Sequence, residues 1–444
     1  MSDSVTKYGL LDSPSSIPHI HVRDPLVYGV VIRFDGSIFI ARGVRAVLGT
    51  ICRVLCDDGL YALAEVIGFK EKDTILVWIE GSKRVAVGAM VQIVGMASDV
   101  SVGDAILGRV MDADGAPLDE YGEIRADNYV PLIGACSNPL NKGEIDTPFD
   151  VGVRVINALI PIGLGQRMSV IAGSGVGKSV LISMICSYSE ADVVVIGLIG
   201  ERAREVSRFV DKVVTPEKRQ RTVVVATTAD RSPILRIRAA HRVTAISEYF
   251  ASIGKKVLLI VDSLTRVGHA QREIGLALGE QPTARGYPPS VISLLPSMIE
   301  RAGGNLESGG SVTAIYTILA DGDDHNDPIV DTARAITDGH IILDRKIAEH
   351  GVYPAIDVMA SVSRSSLDIT SKDQQEAMRK FRYYYRMYED SKDLLHMGGY
   401  HKGQDAQLDK AISLYPSLCN FIRQGEGESV NRKDSIIQLQ QVVR

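Results

Sequence analysis

The chain has 444 residues, 45% of them hydrophobic and 23% charged, with 49 Lys and Arg against 54 Asp and Glu for a formal net charge of −5. That length fits roughly three domains at about 150 residues each, and the composition is that of a soluble globular chain, not a disordered one. The slightly acidic balance argues against nucleic-acid binding by the protein as a whole, and no apolar run approaches the ~18 residues a membrane helix needs.

The first segment, residues 1–22, is polar and carries Pro14 and Pro18, which oppose a continuous helix. It lacks a basic start followed by an apolar stretch, so no signal peptide is expected. Between Val27 and about Met96 short apolar runs recur between glycines and charges: YGVVIRF, SIFIARG, TICRVLC, YALAEVIGF, TILVWIEG and MVQIVG. This spacing predicts a small β-barrel or sandwich. Residues 27–97 hold eight basic and seven acidic side chains, a net of +1, which gives no sign of a basic single-strand groove. A connecting region rich in Gly, Asp, Asn and Pro follows, from about Asp99 to Phe149.

The middle of the chain alternates helical patterns with the runs MSVIAG, DVVVIGLIG, RTVVVATT, KKVLLIVD, SVTAIYTIL and HIILD. Their near-continuous Val, Ile and Leu predicts a parallel sheet covered by helices on both faces, an α/β nucleotide-binding core. After about Leu367 the pattern becomes helical. Ala377, Phe381, Tyr384, Tyr385 and Tyr388 recur at helical spacing and read as core rather than as a stacking platform for bases. The predicted domains are an arm (1–22), a β-barrel (23–97), the α/β domain (98–367) and a C-terminal helical domain (368–444). Cys52, Cys56, Cys136, Cys186 and Cys419 form no Cys-x-x-Cys pair and are expected to be buried, reduced thiols.

The segment Ile171 to Ser179, IAGSGVGKS, follows a strand-like run and opens a helical one. That is the context of a phosphate-binding loop. Gly173, Gly175 and Gly177 permit backbone shapes in which N–H groups converge on phosphate oxygens at a helix N-terminus, and Ser174, Val176 and Val180 belong to the same cradle. Lys178 is placed to reach the β- and γ-phosphates and the Ser179 hydroxyl to coordinate Mg²⁺. Ala172 stands at the first motif position in place of Gly. Asp262 ends the run VLLIV, where an acid beside a phosphate loop holds Mg²⁺ directly or through its water. Glu201 ends another run at the sheet's carboxyl edge, placed to orient the attacking water. Arg364 follows the strand-like segment Ala355 to Ser363; no spacing rule gives it a role, and alone it reads as a structural ion pair. Asp321, Asp323, Asp324, His325 and Asp327 match no calcium loop and read as a polar loop.

At these residues the chain resembles the flagellum-specific export ATPases, of the type III secretion branch of the rotary-ATPase superfamily. The resemblance is carried by AGSGVGKSVL (172–181), GLIGERAREV (197–206), VLLIVDSLTR (257–266), AQRE (270–273), GYPPSV (286–291), GDDHNDP (322–328), ARAITDGHI (333–341), YPAID (353–357) and DAQLDKAI (405–412). INAL (156–159), GQRM (165–168) and the DKAI, YP and FIRQG elements of the tail favour the flagellar branch over the injectisome one.

The resemblance implies a RecA-like core in a homohexameric ring with ATP and Mg²⁺ at subunit interfaces. It gives Lys178, Ser179, Glu201 and Asp262 the phosphate, magnesium and water-activating positions, Arg202 a place beside the catalytic glutamate, Arg364 the finger that enters the neighbour's site, and Tyr353 the adenine contact. No residue matches a second adenine aromatic without a gap. The implied function is ATP hydrolysis energising flagellar protein export. The partners would be other copies of the chain, a regulator, a stalk protein, export substrates and chaperones, but no nucleic acid. The implied location is the cytoplasm, peripheral at the inner face of the membrane. The competing readings are an injectisome ATPase, a catalytic subunit of a rotary proton-translocating ATPase, a hexameric RNA translocase and a non-catalytic ring subunit. Intact Lys178, Glu201 and Asp262 oppose the last.

Overall fold

A computed structural model describes residues 28–444 apart from 36–37, 81–83, 97–98, 127, 135–137, 305–306, 321, 323 and 325–326. The N-terminal arm, Cys136, Asp321, Asp323 and His325 therefore lie outside the described residues.

The six apolar runs of the N-terminal region become six strands: β1 (Tyr28–Asp35), β2 (Ile38–Arg42), β3 (Thr50–Leu55), β4 (Tyr61–Lys70), β5 (Asp73–Trp78) and β6 (Met90–Met96). They close into a barrel in the order β1-β2-β5-β4-β3-β6. Closure removes the free edges that a six-strand sandwich would expose. Alternation places Val31, Phe39, Cys52, Val54, Ala64, Leu76 and Val91 inside, with Phe39 stacked on Trp78 at 4.4 Å between ring centroids.

The barrel is tied to the next layer by charge. Arg238, on the helix Pro233–Ser252, is buried and pairs with both Glu65 of β4 and Asp114 of the connecting region. Burial raises the Glu65 carboxyl, and the adjacent Arg238 opposes that rise. A charge buried at this depth is tolerable only because it is paired.

The six apolar runs of the middle region all become parallel strands. Across the sheet the order is Val362–Ser363, Gly339–Leu343, Arg167–Ala172, Ser311–Leu319, Lys256–Asp262, Val193–Glu201, Thr222–Thr228 and Val110–Met111. Only the first of these runs antiparallel to its neighbour, with Gly339 opposite Ser363. The two short edge strands were not legible in the sequence, because two residues carry no period. Helices cover both faces, so Val194, Val195, Ile196, Leu258, Leu259, Ile260, Ala314 and Ile315 are fully buried.

Three helices follow: Lys372–His396, Ala406–Ile422 and Arg432–Val442. The aromatic stripe on the first is core. Phe381 is fully buried, Tyr384 nearly so, and Tyr388 stacks on Tyr415 at 3.6 Å between centroids. Cys52 and Cys186 are buried free thiols, Cys419 is a half-buried one, and Cys56 is buried. Burial pushes the Cys52 thiol up to about 11, which leaves it unreactive. Among the described residues no helix is long and apolar enough to cross a membrane.

Candidate active site

The strand Arg167–Ala172 delivers the glycine loop to the sheet's carboxyl edge, and the helix Lys178–Tyr188 starts there with Gly177 as its N-cap. Gly175 (φ 80°) and Gly177 (φ 95°) both lie in the left-handed region, where a side chain would be strained. A Cβ at Gly175 would meet nothing within 4 Å, so the concave face of the loop is open. A Cβ at Gly177 would touch the Tyr353 ring at 3.5 Å. Tyr353, 174 positions after the loop's last residue, therefore lies over it with 48% of its surface exposed.

The three charged residues marked in the sequence meet beside the loop because their strands do. The strand ending at Glu201 pairs with the strand ending at Asp262, with Leu198 opposite Asp262, and the Asp262 strand pairs with Ser311–Leu319, which flanks the phosphate-loop strand. Lys178 forms an ion pair with Asp262 and has its Nζ 3.7 Å from Glu201 Oε1. Asp262 is 3% exposed, and its Oδ1 also accepts from the Thr317 hydroxyl at 2.6 Å.

Burial raises the Glu201 carboxyl to about 7; Lys178 works against this, while Asp262 and Glu205 add to it. A carboxyl held there is half ionised near neutrality, the range in which a general base is most useful. A cavity of about 380 Å³ opens over these groups, lined by Gly175, Ser179, Val180, Glu201, Asp262 and Lys212 among others. The Ser179 hydroxyl and the Asp262 carboxylate share this cavity, a hard-oxygen pair of the kind Mg²⁺ takes alongside phosphate and water.

Two arginines stand apart. Arg202 caps the helix Ala203–Val213 without a side-chain hydrogen bond, is 86% exposed at its side chain and lies 3.7 Å from Glu205. Arg364 lies at the opposite, amino edge of the sheet. Its N–H donates to the Asp338 carbonyl at 2.9 Å, and its Nη2 donates to the Arg334 carbonyl at 3.0 Å. It makes no ion pair among the described residues, which departs from the structural pairing that the sequence alone favoured. Asp338 precedes a strand whose Leu343 is level with Ala172. Five residues of strand, roughly 16 Å at 3.3 Å each, therefore separate Arg364 from its own phosphate loop.

Four further residues, given no role from the sequence, touch the site. Thr317 holds Asp262. Arg345 donates to the Ser174 carbonyl at 3.4 Å, and Gln424 donates its N–H to the Tyr353 carbonyl at 2.9 Å. Arg266 packs beneath Gly200, where an added Cβ would lie 2.9 Å from the Arg266 Cβ, and its Nε is buried without a hydrogen bond among the described residues. Of the acidic loop, Asp324 pairs with Arg285 and Asp327 caps the helix Pro328–Ile336, so both are structurally employed.

A phosphate loop at the carboxyl edge of a parallel sheet, with lysine and two carboxylates converging on it, defines a P-loop ATPase. Residues 152–363 match the ATP synthase alpha/beta family, nucleotide-binding domain, and residues 370–441 match the T3SS EscN ATPase C-terminal domain. The flagellum-specific ATP synthase of Pseudomonas aeruginosa is 44% identical over 93% of this chain and 92% of its own length. The type 3 secretion system ATPase of Xanthomonas euvesicatoria is 42% identical over 89% and 90%. The assembled ATPase EscN of the enteropathogenic E. coli type III secretion system superposes with a TM-score of 0.89 at 39% identity, covering 94% of this chain and all of that one. EscN in complex with its central stalk EscO gives a TM-score of 0.85 at 38% identity, with the same coverage. The chain belongs to the family of flagellum-specific ATP synthases and type III secretion ATPases, and it is a nucleotide-binding, ATP-hydrolysing enzyme.

Proposed function

We propose that this chain hydrolyses ATP to ADP and phosphate to energise protein export through the flagellar type III secretion apparatus. The convergence of Lys178, Glu201 and Asp262 on the phosphate loop carries the chemistry. The names of the relatives, flagellum-specific ATP synthase and type 3 secretion system ATPase, support a role in flagellar type III secretion. The triphosphate lies in the loop with its charge met by backbone N–H groups from Gly173 to Val180 and by Lys178, which leaves Asp262 for the β- and γ-phosphates. Asp262, once freed from the lysine, and Ser179 would hold Mg²⁺. The ion, when bound, neutralises charge developing on the phosphoryl oxygens.

Glu201 orients a water in line with the γ-phosphorus and takes its proton. The new P–O bond forms as the bond to the β-phosphate oxygen breaks, and ADP leaves. Arg202, exposed beside Glu201, and Arg266, behind Gly200, add positive charge on that side. Tyr353 packs on the adenine.

Arg364 acts on the neighbouring subunit's nucleotide. The roughly 16 Å of strand between it and its own loop, and the presence of Glu201 and Arg364 in one chain, support a head-to-tail homohexameric ring. We assign residues 23–97 to the barrel domain, 98–367 to the ATPase domain and 368–444 to the helical domain. The proposed partners are a stalk protein, a regulator, export substrates and chaperones. The proposed location is the cytoplasm, peripheral at the inner membrane face. Likeness to EscN supports an injectisome ATPase as the second reading.

The test mixes Glu201→Gln chains with Arg364→Ala chains, each nearly inactive alone. Mixed rings contain interfaces with an intact Glu201 and an intact Arg364, so activity should return. If confirmed mixed rings recover no activity, either Arg364 acts within its own chain or firing requires several intact sites, and rings of linked subunits carrying a single defective site separate the two.

A further inference from the structure

The amino edge of the sheet holds a buried amide that the mechanism above does not use. Gln166 immediately precedes the strand Arg167–Ala172, whose other end opens the phosphate loop, and it is fully buried. Its side chain uses its whole hydrogen-bonding capacity apart from one lone pair. Oε1 accepts from the Gly163 N–H at 2.7 Å, and Nε2 donates both to the Asp338 carbonyl and to the Ser363 hydroxyl, each at 3.1 Å. The Ser363 hydroxyl donates onward to the Pro161 carbonyl at 2.7 Å. The Asp338 carbonyl that Gln166 binds is the one that accepts the Arg364 N–H, and Ser363 is the residue before Arg364.

The same carboxylate-bearing residue is fixed from the other side. Asp338 accepts from the Arg167 N–H at 3.0 Å and from Arg167 Nε at 3.1 Å. Arg364 therefore springs from a turn pinned on both flanks to the start of the phosphate-loop strand. A buried amide that makes three hydrogen bonds stiffens the backbone around it, and a side chain that must meet charge only in a transition state gains from stiffness at its root.

We propose that Gln166 is a positioning residue for Arg364: it fixes the backbone from which the arginine is presented to the neighbouring subunit's nucleotide. The proposal rests on the reading that Arg364 acts across the interface. Gln166→Met keeps the length and removes both donors together with the acceptor of the Gly163 N–H, leaving Ser363 on Pro161 and Arg364 on Asp338. A misplacement of about 1 Å at a catalytic group can cost about 10²-fold, so kcat should fall ~10–100-fold with ATP affinity unchanged. Ser363→Ala, a milder cut in the same network, should lower kcat about fivefold. Neither should add to the loss already caused by Arg364→Ala, whereas a general structural defect would multiply it.

The deciding experiment places Gln166→Met on one or the other chain of the mixed rings. On the Glu201→Gln chain, which supplies the arginine, it should cut the recovered activity by the same ~10–100-fold. On the Arg364→Ala chain, which supplies the site, it should leave recovery intact. The reverse pattern would assign Gln166 to its own phosphate loop and overturn the proposal, as would equal loss in both arrangements. Absence of recovery in the control mixture without Gln166→Met, with the linked rings placing Arg364 in its own chain's site, would overturn the trans reading of Arg364, and this proposal with it.

Discussion

The two edges of the central sheet use polar residues in opposite ways. At the carboxyl edge, Lys178, Glu201 and Asp262 crowd together beside an open cavity, with Glu201 raised to about 7 by its burial. At the amino edge, Gln166, Arg167, Asp338 and Ser363 are joined in one network, beside which Arg364 is exposed. The first edge holds charges whose best partners are still to come, as a ligand site must. The second spends its polar groups on rigidity. In a head-to-tail ring the two would face each other, so that one subunit's reactive edge meets its neighbour's stiff one.

The largest effect should come from Arg364, the group proposed to join the edges. Arg364→Ala should lower kcat by roughly 10³-fold or more, the usual worth of such an arginine, with ATP binding retained in an equilibrium nucleotide titration. Retained turnover would mean the edges do not meet.

Glu201→Gln should lower kcat by roughly 10²–10⁴-fold while ATP still binds. The wild-type pH profile sharpens the point. Glu201 must be ionised to accept the water's proton, and burial raises its carboxyl to about 7. Thus kcat/KM should fall with an acid limb near that pH, and the residual activity of Glu201→Gln should lack it. A limb in the ordinary carboxylate range would show that Glu201 is not the titrating base.

Asp262→Asn should raise the Mg²⁺ concentration needed for half-maximal activity by about 10–100-fold. A Mg²⁺ titration of turnover checks it, and an unchanged midpoint would remove Asp262 from the metal's surroundings. The smallest effect belongs to the stiff edge. Arg167→Lys cannot reproduce the forked contact with Asp338 and should cost about 1 kcal/mol of stability, read from a denaturant midpoint.

The sequence alone determined the elements whose information is local. Period and composition marked the six barrel strands, the six long parallel strands and the helical tail, because each buries a face long enough to impose a pattern. The phosphate loop was legible because its glycines, lysine and serine act within one turn of backbone. Glu201 and Asp262 were legible as acids ending buried strands. What tertiary structure decided is which strand ends are neighbours, and hence that Glu201 and Asp262 meet Lys178, that Thr317 holds Asp262, and that Tyr353 lies over Gly177. It also decided that Arg364 sits at the edge away from its own loop and that Gln166 lies behind it. These relations join residues tens to hundreds of positions apart. They depend on sheet order and register, which no local run of side chains encodes, since pairing is selected by the packing of the whole core.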